Sequence, residues 1–327
     1  MLSWMVIRLQ FLYFFLLWGS APLSVDFPLD YMGSAIIASA NPDPEPLGDF
    51  EQITLPLRRV GNLMVIEVEI DGQVGNFILD IGAPYLVLNK TYFRGYLPSD
   101  TRSMGGINGE GERVRKTEVG HLQIRDLYFE EISADVVSLA ALENEKGIKI
   151  LGLLGLNLFK KLDIELDLKA NILHLFRLDE HGIRLAPFME DEDHGFELSC
   201  PLRIEENIAF VEATIGGQKL QFCLDTGAEI NVLSSKLPSE VTREFTIKGR
   251  VWLRGSEGRR TEALTGFVRN FKIGDQNIPR MRMMISNLDH LEALYGQRVD
   301  GVLGFDFLAS GKVCLNFKSG EICIFGY

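Results

Sequence analysis

Two heptapeptides decide how this chain is read: Phe77-Ile78-Leu79-Asp80-Ile81-Gly82-Ala83 and Phe222-Cys223-Leu224-Asp225-Thr226-Gly227-Ala228. In each, an aspartate directly follows three apolar residues, a place where a charge has to be compensated or used. The glycine two positions later permits a sharp turn and close backbone approach. The chain then returns to an apolar run, Leu86-Val87-Leu88 in one case and Val232-Leu233 in the other. A single Asp-x-Gly would be read as an aspartate capping a tight turn. Two of them in equivalent surroundings ask for a common cause.

Working outward, Thr54 to Lys90 aligns with Ser199 to Ser235 without a gap at an offset of 145, and 15 of the 37 positions are identical. Pro56-Leu57-Arg58 meets Pro201-Leu202-Arg203, and Asn62, Glu67, Ile70, Gly72 and Gln73 meet Asn207, Glu212, Ile215, Gly217 and Gln218. Further on, Leu122 to Phe176 aligns with Phe271 to Phe325 at an offset of 149, with Leu142, Glu143, Gly152, Leu154 and Gly155 recurring. We therefore expect a tandem duplication of a unit of about 125 to 130 residues, because a repeat of this kind governs how every motif is counted.

Each unit reads as mostly β. Ile66-Glu67-Val68-Glu69-Ile70 alternates, Asp71-Gly72 and Gly216-Gly217 are two-residue hairpin turns, and Phe77-Ile78-Leu79 opens a buried strand. Further hairpins are expected around Lys169-Ala170-Asn171 and Lys318-Ser319-Gly320. One helix per unit is expected, around Ser138 to Glu145 and Leu288 to Tyr295. The fold class is all-β, with two homologous lobes. Asp163-Ile164-Glu165-Leu166-Asp167 reads as a strand with a wet carboxylate face.

Composition removes other classes. The 33 Lys and Arg against 45 Asp and Glu give a net charge of −12, which repels a phosphate backbone and makes nucleic acid a poor partner. The 46% apolar and 24% charged content fits a soluble globular chain better than a multi-span membrane protein. The five histidines form no H-E-x-x-H, and the four cysteines form no C-x-x-C, so no metal or cofactor is expected. Cys314 and Cys323 bracket a hairpin and are either a cross-strand pair able to oxidise or buried small hydrophobes.

The boundaries follow. Residues 1–40, with Arg8, the apolar run from Phe11 to Trp18 and Ala38-Ser39-Ala40, read as an export signal or an uncleaved N-terminal anchor. Residues 41–50 read as an exposed linker, 51–178 as the first lobe, 179–196 as an acidic linker containing Glu190-Asp-Glu-Asp193, and 197–327 as the second lobe. The only membrane contact expected is through an uncleaved N-terminal segment.

Leu79-Asp80-Ile81-Gly82-Ala83 and Leu224-Asp225-Thr226-Gly227-Ala228 resemble the Asp-Thr/Ser-Gly-Ala/Ser signature of the aspartic proteases. Leu153-Leu154-Gly155 and Val302-Leu303-Gly304, followed by Asn157 and Asp306, resemble that family's second signature. The alanine after each glycine and the short lobes are similar to the retropepsin-like branch, fused in tandem as in pepsin. The resemblance implies an endopeptidase that hydrolyses peptide or protein substrates with a water activated by Asp80 and Asp225, at the lobe interface of a monomer. It implies that Gly82, Ala83, Thr226, Gly227 and Ala228 support the active-site loops. It also implies glycine-rich flaps, at Gly106 and Gly109 in the first unit and at Gly255 and Gly258 in the second. Ile81 departs from the pattern, since the usual hydroxyl braces the opposite loop. Two alternatives therefore stay open: a non-catalytic peptide-binding protein, or a homodimer pairing Asp225 from two chains.

Overall fold

The computed structural model describes residues 43–96, 115–186, 197–254 and 260–326. The proposed signal and the four candidate flap glycines, Gly106, Gly109, Gly255 and Gly258, lie outside these residues. The first lobe runs β1 (Gln52–Pro56), β2 (Arg58–Val60), β3 (Leu63–Ile70), β4 (Gln73–Leu79), β5 (Leu86–Asn89), β6 (Arg115–Ile124) and β7 (Leu127–Val137). Helix Ala140–Lys146, β8 (Gly152–Leu154), a 3-10 turn at Leu156–Leu158, β9 (Leu162–Asp167) and β10 (Ile172–Arg177) complete it. The second runs β11 (Glu197–Glu205), β12 (Ile208–Ile215), β13 (Gln218–Leu224), β14 (Val232–Ser234), β15 (Phe245–Arg254), β16 (Arg260–Ile273) and β17 (Gln276–Ser286). Helix Asp289–Tyr295, β18 (Gly301–Leu303), β19 (Gly311–Asn316) and β20 (Glu321–Gly326) follow.

Several element bounds coincide at the sequence offsets. β3 and β4 correspond to β12 and β13 at 145, and helix Ala140–Lys146, β8, β9 and β10 correspond to helix Asp289–Tyr295, β18, β19 and β20 at 149. Asp71 and Gly72 turn the β3–β4 hairpin with φ of 47° and 83°, and Gly216 and Gly217 do the same with 59° and 78°. Both turns use the positive-φ residues that match the twist of paired strands. Two four-residue helices, Ser239–Thr242 and Phe305–Leu308, and the 3-10 turn go beyond the single helix per lobe expected from sequence. Segments of one turn carry no periodicity long enough to read.

Strand burial explains how the lobes join. β3 alternates between two cores: Met64, Ile66, Val68 and Ile70 enter a large core that runs through both lobes, and Leu63 and Val65 enter a smaller one with Leu139 and Leu142 of the first helix region. β12 does likewise, sending Ala209, Val211, Ala213 and Ile215 one way and Ile208 and Phe210 towards Leu288 and Leu291. The first lobe forms a seven-stranded sheet, β2-β3-β4-β8-β5-β7-β6, closed by β3–β6 pairing. The second lobe's sheet continues through β11 and β20 into β19, which pairs antiparallel with β9 and so carries on to β10 and β1. One sheet therefore stitches the lobes together beneath their interface.

That sheet corrects one expectation. Asp163 and Glu165 are buried, because β9 sits between β10 and β19 and the segment after β10 crosses its face. From that segment Arg184 grips Asp163 with two bonds of 3.0 and 3.1 Å and Glu165 with one of 3.0 Å, and its guanidinium stacks on Phe176. The strand's alternation was legible, and the distant cation that covers it was not. Residues 43–50 also lie against the first lobe, with Leu47 and Tyr128 exchanging backbone bonds of 2.9 and 3.0 Å and Lys160 pairing with Asp43. The hairpin register sets Cys314 opposite Cys323, and no disulfide joins the two.

Candidate active site

The two aspartate loops leave inner strands by the same route. β4 pairs in parallel with β8, placing Leu79 beside Leu154, and β13 pairs in parallel with β18, placing Leu224 beside Leu303. Strands flanked this way are covered on both faces, which is why three consecutive apolar residues precede each aspartate. The chain then turns. Asp80 N donates to Leu154 O at 3.0 Å and Ala83 N returns to Asp80 O at 3.1 Å; Asp225 N donates to Leu303 O at 2.9 Å and Ala228 N to Asp225 O at 3.2 Å.

These turns bring the two carboxyl groups together. A Cβ added to Gly82 would stand 2.4 Å from the Asp225 carboxyl carbon, and one added to Gly227 would stand 2.7 Å from that of Asp80. Each glycine thus vacates the space that the opposite lobe's aspartate fills. Asp80 is 0% exposed and Asp225 6%. Within its own loop, Asp80 Oδ1 accepts from Ala83 N at 3.1 Å, and Asp225 Oδ1 accepts from Gly227 N at 2.8 Å. Asp80 Oδ2 is buried with no hydrogen-bond donor among the described residues.

Burial raises both carboxyl pKa values, since desolvation disfavours the charged form. For Asp80 the rise is large: burial comes first, followed by the negative charge of Asp225. Asp225 is raised to about 6, also chiefly by burial, and is held back by the Gly227 N–H and by Asp80. The two carboxyls act on each other in opposite directions: the neighbouring Asp225 pushes Asp80 up, and the neighbouring Asp80 holds Asp225 down. The pair therefore titrates as a unit and retains one proton over a range of pH.

The raised pKa values carry a stability cost with a definite sign. An aspartate whose folded pKa lies above its unfolded value destabilises the fold once pH exceeds the unfolded value, and the penalty is complete above the folded pKa. For Asp225, a rise from 3.8 to about 6 corresponds to about 3 kcal/mol at neutral pH. Asp225→Asn keeps the shape and donates an amide to Asp80, so thermal melts should show a higher Tm than wild type at pH 7.5. The gain should vanish at pH 3.5. An equal gain at both pH values would mean that ionisation is not its source.

Thr226 ties the loops to each other. Buried to 1% exposure, its hydroxyl donates to Leu79 O at 2.8 Å and accepts from Ile81 N at 2.9 Å. Ile81 is fully buried and returns no side-chain bond. Ala83 and Ala228, each 1% exposed, close the turns against the second signature: Leu156 N donates to Ala83 O and Phe305 N to Ala228 O, both at 2.8 Å. Asn231, also fully buried, accepts from Gly304 N at 2.7 Å. Asn231 and its neighbour Glu229 were missed from sequence. Glu229 stands between Ala228 and Ile230, and the same signal that picked out Asp80, a charge among apolar residues, would have found it.

Residues 211–307 match the family model described as aspartyl protease. No curated protein matches the chain. Among solved structures, the aspartic proteinase from Irpex lacteus is similar over 84% of this chain and 97% of its own, with a TM-score of 0.51 at 10% identity. A retropepsin-like aspartic protease from Rickettsia conorii aligns over 40% of this chain and 94% of its own, with a TM-score of 0.28 at 19% identity. The chain has the two-lobe aspartic proteinase fold.

Proposed function

We propose that the chain is an endopeptidase whose Asp80 and Asp225 together activate a water molecule for attack on a peptide carbonyl. The observation that carries this reading is the interlocking of the two loops, in which each Asp-x-Gly glycine makes room for the other lobe's carboxyl. A single chain contains both halves, so a second copy has nothing to supply.

The environments divide the roles. Asp80, more deeply buried and facing the charge of Asp225, holds the shared proton and acts first as the acid. Ionised Asp225 acts as the base. As the water oxygen bonds to the carbonyl carbon, its proton passes to Asp225 and the Asp80 proton passes to the carbonyl oxygen, giving a neutral tetrahedral diol. Collapse breaks the C–N bond, with the amine taking a proton from Asp225 and the diol returning one to Asp80. The pair ends in its starting state. The apolar run from Phe11 to Trp18 supports an exported enzyme acting on a peptide or protein.

The pH dependence tests this division. The competent pair carries one proton, so kcat/KM on a fluorogenic peptide library should rise with pH through about 6 as the first proton leaves, and fall at higher pH as the second does. A profile that only declines from pH 3 upward would contradict the raised titration. A second reading rests on Ile81, which leaves the brace one-sided and fits a peptide-binding protein without turnover. In that case the library would be bound and returned uncut at every pH.

A further inference from the structure

The hydroxyl brace runs one way, from Thr226 into the first lobe, and a second tie runs in the same direction. Glu229, 2% exposed and four residues past Asp225, accepts from Asn62 N at 3.0 Å and forms an ion pair with Lys146 at the end of helix Ala140–Lys146. Its backbone oxygen accepts from Asn62 Nδ2 at 2.8 Å. Lys146 also lies 3.1 Å from Glu145, and its side chain is only 6% exposed. The β2–β3 turn is shaped to admit the carboxylate: Gly61 has φ of 63°, and a Cβ there would stand 2.8 Å from Glu229 Oε2. At the corresponding places in the other unit the chain has Pro84 for Glu229, Tyr295 for Lys146 and Glu206 for Gly61. The clamp is therefore built on one side of the interface, the side from which Thr226 also reaches.

We propose that Glu229 is a positioning residue for the Asp80/Asp225 pair, holding the second-lobe aspartate loop against the first lobe through Lys146 and Asn62. It supplies the interlobe tie that Ile81 cannot make. This rests on the dyad reading above. A buried ion pair is a poor source of net stability, yet breaking it on one side is costly, which suits a device that fixes geometry. Misplacing a reacting group by about 1 Å costs on the order of 10²-fold in rate.

The test measures kcat and KM for Glu229→Gln, Lys146→Met and their double, each with and without Ile81→Thr. Glu229→Gln is expected to lower kcat about 10- to 100-fold with KM within about twofold. The double should be no worse than the worse single, and Ile81→Thr should restore about tenfold of the loss by adding the missing hydroxyl. Multiplying single effects, or no recovery with Ile81→Thr, would overturn the proposal. Glu212→Gln, in an exposed pair with Lys219, should leave kcat unchanged. Amide hydrogen exchange reads the clamp without turnover: Glu229→Gln should speed exchange at Ile81 N–H by about tenfold and leave the β9–β19 pairing protected. Unchanged Ile81 exchange would sink the clamp whatever the kinetics. Equal cleavage by wild type and Asp225→Asn would instead remove the dyad reading and leave the exchange result standing.

Discussion

Asparagine at either position 80 or 225 is expected to lower kcat/KM for peptide cleavage by about 10⁴-fold, the upper end of what one positioned acid–base group contributes. The loss should be close to complete in each variant alone, because one carboxyl must give a proton to the carbonyl oxygen as the other takes one from the water. An amide can donate to its partner but cannot accept the water's proton. Folding should survive, since burial already disfavours the second charge. The homodimer alternative predicts something different: Asp80→Asn would remain active, with a rate that falls on dilution. A peptide-binding protein would give no turnover in any variant. A quenched-fluorescence peptide library, measured across a hundredfold range of enzyme concentration, separates the three outcomes.

Gly82→Ala should be nearly as damaging. The added methyl carbon would lie 2.4 Å from both the Asp225 carboxyl carbon and its Oδ1, distances that cannot be met without movement. The surroundings leave little freedom to move: Ile81 N is bonded to Thr226, Asp80 N to Leu154, and Gly227 N to the same Asp225 carboxylate. Separation of the carboxyls by about 1 Å is the cheapest response, so kcat/KM should fall at least about 10²-fold. Gly227→Ala meets Asp80 at 2.7 Å and should behave alike. Gly95→Ala has nothing within 4 Å of its new carbon and serves as the control, with wild-type activity and Tm. Full activity in Gly82→Ala would show that the carboxyls do not need to meet.

Much of this was legible because the sequence states it twice. The offset of 145 predicted a second unit built like the first, and the three apolar residues before each aspartate predicted buried strands. Asp-Gly and Gly-Gly located hairpins because few dipeptides tolerate two positive φ angles in succession. Contacts between residues distant in sequence escaped detection. Arg184 turns Asp163 and Glu165 from a wet strand face into a buried ion cluster, and alternation alone cannot say whether a polar face meets water or a cation. Glu229 escaped because its partners, Asn62 and Lys146, lie 167 and 83 residues away. Ile81 was visible at once, but what offsets it was not, since the ion pair of the clamp, Glu229 with Lys146, stands where the other unit has Pro84 and Tyr295.

An active-site titration shows whether each chain holds one complete dyad. A statine-type peptide, whose hydroxyl occupies the place of the attacking water, is added to a known concentration of chains while cleavage of the library peptide is followed. Activity should reach zero at one inhibitor per chain, and Asp80→Asn and Asp225→Asn should neither cleave nor titrate. An end point at one inhibitor per two chains, or titratable cleavage persisting in Asp80→Asn, would rule out a dyad formed within one chain.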